Sequence, residues 1–329
     1  MTAAMHTAGQ AVAATAAWRA TLPRPRASAT WLNRPGAKTR ISSHVLAHLP
    51  TTPAGYTEPY AGSAAILLRR EPVALEVVND LDGDLVGLYR VLQDPGGYAL
   101  LAHRVACTPH ALAEYERALA ILRSDGDDPV ERAWAYWAAS AMGFGGQIGA
   151  GFGRATGWYS ARSTVDASRT QPASLAGKRA ALEHVRARLL NVTVESICAL
   201  DLVDRYDTPD TLHYLDPPYV TTSRASAGRL YAHEQDDGHH RDLVDLLLRV
   251  RGMAVLSGYP SDVYDPLVEA GWRTVDKAAA ASLAGRTRRS GIQGAGAASE
   301  SGRRTERLWI SPRALERLRA EGRCPPGLA

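Results

Sequence analysis

Short apolar runs that end at turn residues alternate with stretches of helical periodicity in two parts of the chain. The apolar runs predict strands, and an apolar stripe at every third or fourth position predicts the helices between them. The predicted strands are residues 56–58, 73–78, 191–197, 211–215, 253–259, 272–278 and 306–311. The predicted helices are 42–49, 66–70, 81–92, 237–251, 261–270 and 312–321. This alternation indicates an α/β fold with a mostly parallel sheet.

The pattern changes between about residues 93 and 190. Helical periodicity covers 110–122 and 130–142, and a glycine-rich loop at 143–154 then holds both phenylalanines of the chain. Between residues 145 and 190 the chain carries seven Lys or Arg and two acidic residues. Basic groups interleaved with aromatic residues and glycines suit a nucleic-acid-binding surface. A helical lid with a solvated loop is the alternative interpretation.

These changes predict the domain organisation. Residues 31–93 and 191–322 form the α/β domain, 94–190 form an inserted domain, and 323–329 form a tail. Residues 1–30 are alanine-rich, with three arginines and no acidic residue, a composition shared by transit peptides. We interpret them as a disordered tail or as the product of a misassigned start codon.

Composition narrows the class of protein. The chain has 329 residues, of which 45% are hydrophobic and 22% charged, as in soluble globular proteins. No apolar run approaches the ~20 residues that a membrane span needs. The net charge of +4 is small, so the distribution of charge matters more than its sum. The three cysteines are widely separated and odd in number, which predicts neither disulfides nor a metal site and favours a reducing cytoplasm.

A strand, a turn of small residues and a helix form the first predicted βα unit. Its turn, Glu58-Pro59-Tyr60-Ala61-Gly62-Ser63-Ala64, lets a ligand lie close to the backbone. The turn matches neither the G-x-G-x-x-G fingerprint nor a P-loop, so a dinucleotide or ATP site is not supported. Asp80, at the end of the second strand, is placed to hold ribose hydroxyls. Alternatively, Asp80 only caps the helix that follows.

The tetrapeptide Asp216-Pro217-Pro218-Tyr219 follows the strand at 211–215. The prolines end the strand and fix the direction of the neighbouring carbonyl groups. A planar amino group on a heteroaromatic ring suits this arrangement, because Asp216 and a backbone carbonyl accept its two N–H bonds while Tyr219 stacks on the ring. We expect the Asp216 side chain to point outward and to contribute nothing to the core. An ordinary Pro-Pro turn with a solvated Asp is the alternative.

Two further segments give weaker signals. Trp31 to Lys38 combines an aromatic residue, a glycine-containing turn and a lysine, which suits an anionic ligand group or simply a turn before a helix. The His239-His240 pair has no third ligand at metal spacing, so we interpret it as the solvated start of a helix.

Taken in order, these motifs resemble the Dam-like adenine-specific DNA methyltransferases. Trp31 to Lys38 is similar to a divergent Trp-Ala-Gly-Gly-Lys segment, and Glu58 to Ala64 to the Glu-Pro-Phe-x-Gly-x-Gly cofactor loop. Asp80 falls at the ribose-binding acid, and Asp216 to Tyr219 at the catalytic tetrapeptide. The match covers roughly 31–93 and 191–311. Ala37 and Ala64 stand where the family has glycine, and the inserted domain matches only loosely, so the target sequence is not carried over.

The resemblance implies a Rossmann-like methyltransferase sheet of seven strands with an inserted, mainly helical target-recognition domain. The implied activity is methyl transfer from S-adenosyl-L-methionine to the 6-amino group of an adenine flipped out of duplex DNA. Asp216, Pro217, Pro218 and Tyr219 would be catalytic. The implied cofactor-binding residues are Trp31, Lys38, Glu58, Pro59, Tyr60, Ala61, Gly62, Ser63, Asp80 and Asp201. Asp201 is assigned to the adenine amino group of the cofactor, and no metal is expected.

Basic and aromatic residues of three segments are the candidate DNA contacts. They are Arg154, Arg162, Arg224, Tyr231, Arg286, Arg288 and Arg289. We expect a cytoplasmic, nucleoid-associated monomer of bacterial or phage origin that acts on double-stranded DNA, with no membrane partner and a cognate restriction nuclease as a candidate partner. Two alternatives stay open: an amino methyltransferase acting on RNA or protein, and a catalytically silent DNA-binding relative such as a phage decoy.

Overall fold

The computed structural model describes residues 30–34, 36–143, 148, 157–158, 171–218, 237–280 and 303–324. The predicted N-terminal tail, except for residue 30, and most of the glycine-rich loop lie outside these ranges. The chain divides into two compact units. One consists of Met1–Ala37 and Asp82–Val194, and the other of Lys38–Leu81 and Glu195–Ala329.

A seven-stranded sheet with the order β3-β2-β1-β4-β5-β7-β6 is the centre of the fold. The strands are β1 (Gly55–Glu58), β2 (Leu75–Asn79), β3 (Thr193–Glu195), β4 (Thr211–Leu215), β5 (Met253–Gly258), β6 (Arg273–Ala280) and β7 (Arg303–Ile310). β1 pairs in parallel with β2 and β4, and β4 with β5, whereas β7 is antiparallel to both of its neighbours. The predicted α/β class with a mostly parallel sheet is therefore confirmed.

The central strands are buried over their whole length. Every residue of β1, β4 and β5 is buried, as is usual for parallel strands that lie inside a sheet. Leu215 of β4, Leu256 of β5 and Trp309 of β7 belong to one buried cluster together with Leu243 and Leu247. This packing fixes the strand ends that carry the polar motifs.

In the described part of this unit, five helices and three 3₁₀ turns connect or follow the strands. The helices are α1 (Ser42–Ala47), α7 (Ala199–Tyr206), α8 (Asp237–Arg249), α9 (Asp265–Glu269) and α10 (Pro312–Ala320). The 3₁₀ turns are Lys38–Arg40, Leu67–Arg69 and Asp262–Tyr264. The helix predicted at 66–70 is thus a 3₁₀ turn, and the helix predicted at 261–270 consists of a 3₁₀ turn followed by α9.

The other unit is helical. Its helices are α2 (Gly83–Gln93), α3 (Pro95–Ala106), α4 (Leu112–Arg123), α5 (Pro129–Met142) and α6 (Gln171–Leu189). α5 supplies much of its core, since Trp134 and Trp137 are fully buried. α2, which we assigned to the α/β domain, packs with the helical unit. The domain limits at 93 and 190 stay a prediction.

The C-terminal helix α10 holds the loop before β1. Both oxygens of Glu321 accept hydrogen bonds from the backbone amide of Thr51 at 3.0 Å, and the Thr52 amide and hydroxyl bind the same carboxylate. Arg317 donates to the Thr52 carbonyl at 2.9 Å and forms an ion pair with Asp210. The last described element thereby positions the segment that leads into β1.

Among the described helices, none combines the length and the apolar character needed to cross a bilayer.

Candidate active site

The carboxyl ends of three neighbouring parallel strands bring the sequence motifs to one edge of the sheet. β1 ends at Glu58, β2 at Asn79 and β4 at Leu215, directly before the turn of small residues, Asp80 and Asp216. The chain runs from β1 to β2 on one side and returns to β4 on the other, so the strand order reverses between β1 and β4. Ligands of open α/β sheets bind at such a switch point.

Three hydrogen bonds fasten the turn after β1 to the end of β2. The Gly62 amide donates to Asp80 Oδ2 at 2.9 Å, and the Ala61 amide donates to the Asn79 carbonyl at 2.9 Å. The Asn79 side-chain amide donates to the Pro59 carbonyl at 2.9 Å. Gly62 has a φ of 52°, in the left-handed region that favours glycine. The sequence order glycine turn, strand, acid therefore brings Gly62 and Asp80 into contact.

Asp80 is not the cap of the following helix. That role belongs to Asp82, whose side chain accepts a hydrogen bond from the Leu85 amide at the start of α2. Of the two interpretations open at the sequence level, capping is therefore excluded for Asp80.

Glu58 points into the protein from the end of β1. Its Oε1 accepts a hydrogen bond from the Tyr56 hydroxyl at 2.8 Å and another from the Leu67 amide at 2.5 Å. Burial raises the pKa of Glu58 to about 7, although these hydrogen bonds and the Arg70 guanidinium oppose that shift. The carboxyl group thus anchors the segment after the turn, and its assignment to the cofactor stays a prediction.

A buried lysine lies between two carboxylates at the end of β4. The Nζ atom of Lys38 lies 2.7 Å from Oδ1 of Asp216 and 3.6 Å from Oε2 of Glu306. Only 4% of the Lys38 side chain is exposed, compared with 19% for Asp216 and 12% for Glu306. Burial alone would lower the pKa of Lys38, but the charges of Asp216 and Glu306 outweigh it and raise that pKa.

Burial raises the pKa of the Asp216 carboxyl group to about 6. The Lys38 ammonium group opposes this shift and Glu306 reinforces it. The carboxyl group is therefore mostly ionised at pH 7 and above, in a setting that is only partly open to water. We expected an outward side chain that the core does not need. The structure adds a contact that the sequence did not indicate, because Asp216 is the direct counter-ion of a buried lysine.

Tyr60, in the turn after β1, is joined to the start of α8. Its hydroxyl lies 2.7 Å from Nε2 of His239, and the two rings meet edge to face with centroids 6.0 Å apart. The adjacent His240 is fully buried, with Nδ1 lying 2.8 Å from the Tyr264 hydroxyl. The expectation of a solvated helix start was wrong, because the imidazole rings of His239 and His240 are both hydrogen-bonded to tyrosine hydroxyls. In the part of the chain that the structure describes, no group of three or more candidate ligands could bind a metal ion.

The other predicted site residues lie in more ordinary surroundings. Pro59, Ala61, Ser63 and Pro217 are buried, and Pro218 is partly buried. Asp201 is exposed in the first turn of α7. Trp31 is buried in the helical unit, where its ring centroid lies 5.9 Å from that of Tyr89.

Several predicted residues lie outside the described part of the chain. They are Tyr219, Arg154, Arg162, Arg224, Tyr231, Arg286, Arg288 and Arg289.

Three basic residues of α6 do not form the open surface that the sequence suggested for 145–190. Lys178 is buried and donates to Ser174 Oγ at 2.7 Å. Arg179 donates to the Thr108 carbonyl, and the Arg186 guanidinium lies over the Tyr98 ring at 4.7 Å. Their charges therefore stabilise the helical unit from within.

Sequence reasoning missed three residues that hold the site together. Glu306 contacts Lys38, His239 binds Tyr60, and the Asn79 side chain joins the turn after β1 to the end of β2. Asn79 was detectable, because it immediately precedes the predicted acid. Nothing local marks Glu306, which lies 90 positions after Asp216 (306 − 216) and reaches the site through the pairing of β7 with β5.

Comparison with known proteins gives one family. Residues 35–257 match the model of the D12 class N6 adenine-specific DNA methyltransferases, which is more than half of the 329 residues. A search of curated proteins finds no significant match.

Proposed function

The chain belongs to the D12 class N6 adenine-specific DNA methyltransferases, and on this premise we propose that it methylates the 6-amino group of an adenine flipped out of duplex DNA, with S-adenosylmethionine as the methyl donor. The observation that carries the proposal is the ion pair between Lys38 and Asp216 beside the turn that Asp80 holds. A carboxylate and a turn of small residues therefore lie at the switch point of the sheet, where ligands of open α/β sheets bind, and this supports the proposal.

The residues at this edge fit S-adenosylmethionine. The backbone of the turn bends sharply at Gly62, where the lack of a side chain leaves room for close approach of a ligand. Asp80 supplies a partly buried carboxylate at the adjacent strand end, the acceptor that ribose hydroxyls require. When bound, S-adenosylmethionine supplies a methyl group activated by its positive sulfur.

The chemistry assigned to Asp216 follows from its surroundings. An adenine inside a duplex is inaccessible, and extruding it costs a few kcal/mol. Asp216 and the Pro217 carbonyl accept the two amino hydrogens, which directs the nitrogen lone pair at the methyl group. Lys38 holds Asp216 Oδ1 at 2.7 Å and thereby orients the carboxylate. The nitrogen attacks uncharged, so positioning is the main contribution of the protein to the rate.

The proton released by the reaction also has a placed acceptor. Formation of the N–C bond leaves an extra proton on the amino nitrogen, and the carboxylate that accepts hydrogen bonds from this group is placed to take it. A pKa of about 6 keeps Asp216 ionised for this step at neutral pH.

We assign DNA affinity mainly to the arginines of the predicted DNA contacts. Basic side chains that neutralise phosphates release counterions, so binding should weaken steeply with increasing salt. Replacing Arg288 and Arg289 by alanine should reduce the salt slope by roughly one unit for each lost contact. Tyr219 is assigned to stacking on the flipped base, in line with its place in the tetrapeptide.

The test is transfer of labelled methyl groups from S-adenosylmethionine to duplex DNA. Duplexes that contain adenine should be labelled, and duplexes of guanine and cytosine alone should not. Asp216→Ala, which removes the acceptor for the amino group, should reduce transfer by at least about 100-fold, because the reacting nitrogen loses its orientation. Labelling of DNA without adenine would overturn the substrate, and full activity of Asp216→Ala would overturn the mechanism. Single-molecule sequencing of DNA from expressing cells would then give the recognition sequence.

A further inference from the structure

Glu306 lies outside the part of the chain that matches the family, yet it contacts the centre of the proposed site. The match ends at residue 257, whereas Glu306 belongs to β7, in the antiparallel hairpin formed by β6 and β7. Its Oε2 lies 3.6 Å from Lys38 Nζ, and its side chain is 12% exposed. A carboxylate so close to a lysine that is 4% exposed interacts with little screening by water.

We propose that Glu306 is a positioning residue for methyl transfer, which shares the Lys38 ammonium group with Asp216 and so sets how strongly that group holds the catalytic carboxylate. This inference rests on the proposed function for its catalytic consequence. The structural relationship among the three side chains does not depend on it.

Asp216 and Glu306 compete for one cation. The positive charge of Lys38 Nζ lies 2.7 Å from Asp216 Oδ1 and 3.6 Å from Glu306 Oε2, so it attracts both carboxylates at once. With Glu306 present, part of its field is directed away from Asp216, and the negative charge of Glu306 also disfavours a second negative charge nearby. Both effects keep Asp216 a stronger hydrogen-bond acceptor for the amino group of the target base.

Other groups around Asp216 also influence its pKa, so a comparison of variants must leave these groups unchanged. Burial and Glu306 raise the pKa of Asp216, while Lys38 and the hydroxyl of Ser257 lower it. Among the described residues, Glu58 of β1, Tyr214 of β4 and Tyr264 of the 3₁₀ turn after β5 are further titratable groups that interact with Asp216. None of these belongs to the β6–β7 hairpin, so a change at Glu306 leaves them in place.

The test compares Glu306→Gln with Asp276→Asn. Asp276 is a second carboxylate of the same hairpin, and its side chain is 47% exposed and pairs with Arg307. Both variants exchange a carboxylate for an amide, on neighbouring strands. Only Glu306→Gln removes a negative charge that lies next to Lys38. The first measurement is the pKa of Asp216. It is obtained from a pH titration monitored by carbon-13 NMR of labelled carboxyl groups, in which Asp216→Asn assigns the signal.

We expect Glu306→Gln to lower the apparent pKa of Asp216 by roughly one unit, because a like charge is removed and Lys38 is left to Asp216. Asp276→Asn should leave this pKa unchanged. This measurement needs no catalysis, so it tests the placement of Glu306 even if the proposed methyl transfer fails. An unchanged pKa of Asp216 in a folded Glu306→Gln protein would overturn the inference.

The second measurement is the pH dependence of methyl transfer with saturating DNA and S-adenosylmethionine. For Glu306→Gln we expect the acid limb to move to lower pH by a similar amount and the plateau rate to fall about tenfold. Glu306→Asp, which keeps the charge, should restore the position of the limb at least in part, and it also serves if Glu306→Gln does not fold. A uniform loss of rate with an unmoved limb would mean that Glu306 is only structural. An absence of transfer by the unaltered protein would instead refute the proposed function.

Discussion

The Nζ atom of Lys38 lies 2.7 Å from Oδ1 of Asp216, which makes a buried lysine the direct partner of the proposed catalytic carboxylate. The two residues are 178 positions apart (216 − 38). Lys38 begins the 3₁₀ turn before α1, and Asp216 directly follows the last residue of β4. The pair gives the Asp216 carboxylate a fixed partner inside the protein. It also makes the charge state of the site depend on a residue far away in the chain.

Replacing Lys38 by methionine should raise the pKa of Asp216 further. Burial of the carboxyl group would remain while the opposing ammonium charge is lost, so the acid limb of the pH–rate profile should move to higher pH by roughly one unit or more. Transfer should therefore fall more at pH 6 than at pH 9. Lys277→Met, at an exposed position of β6, is the matched control. An acid limb that moves equally in both variants would contradict the pairing.

Replacing Asp80 by alanine should weaken binding of S-adenosylmethionine by ~1–3 kcal/mol, the usual cost of a lost hydrogen bond to a charged group. The structure adds a second reason, because the Gly62 amide loses its acceptor and the turn loses one of its attachments. Isothermal titration calorimetry gives the affinity directly. Asp82→Ala, which removes a helix cap two positions away, is the control and should affect stability more than affinity. Unchanged affinity in Asp80→Ala would leave Asp80 as a loop anchor only.

Ala64→Gly should be tolerated much better than Ala65→Gly. Among the described residues, Ala64 is the one non-glycine residue with a positive φ, at 50°. Relief of this conformation is worth about 1–2 kcal/mol. It offsets the loss of a buried methyl group, ~0.8 kcal/mol, and the greater freedom of glycine in the unfolded chain.

We therefore expect the free energy of unfolding of Ala64→Gly to lie within about 0.5 kcal/mol of that of the unaltered protein. For Ala65→Gly we expect it to be lower by roughly 1 kcal/mol or more. Denaturant unfolding of both variants measures the difference. Equal losses at the two positions would show that the backbone at Ala64 carries no strain.

Glu321 should make the protein sensitive to acid. Burial opposes its ionisation, but the hydrogen bonds from Thr51 and Thr52 outweigh burial and lower the pKa of the carboxyl group from 4.5 to about 2. A carboxyl group with a lowered pKa in the folded state stabilises the fold above about pH 4.5, and this contribution disappears as the pH falls towards 2.

Glu321→Gln should therefore reduce the free energy of unfolding at pH 7 and flatten its decline between pH 4.5 and pH 2. Glu316→Gln, at an exposed position of the same helix, should do neither. Chemical unfolding measured across this pH range distinguishes the variants. If the free energy of unfolding depended on pH in the same way in both variants, the stabilising role of the Glu321 hydrogen bonds would be refuted.

The family and the α/β sheet could be predicted because their signals are local. Strand periodicity located β4 at residues 211–215, and the sequence pattern placed Asp80 at the end of the second strand. The family prediction from four short motifs is confirmed by the match over residues 35–257. Each of these signals lies within a few residues of the structure that it describes.

The contacts that surround the site could not be predicted in the same way. The helical period puts His240 on the same side of α8 as the buried Leu243 and Leu247, but its partner Tyr264 follows only from the fold. The ion pair of Asp216 could not be predicted, because its partner, Lys38, comes from another part of the chain. Pairings over 90 or more positions depend on the order of strands in the sheet, and that order is fixed by the packing of the whole unit.

The position of β7 between β5 and β6 has a consequence for the synthesis of the protein. β6 joins the sheet only through β7, although it precedes β7 in the chain. During translation, β6 therefore has no partner until residues 303–310 leave the ribosome, and Lys38 lacks its second carboxylate until the same moment. A nascent chain can complete the strands that hold Asp80 and Asp216 and still lack the full charge environment of the Asp216 carboxylate. This environment is complete only after β7 has been synthesised.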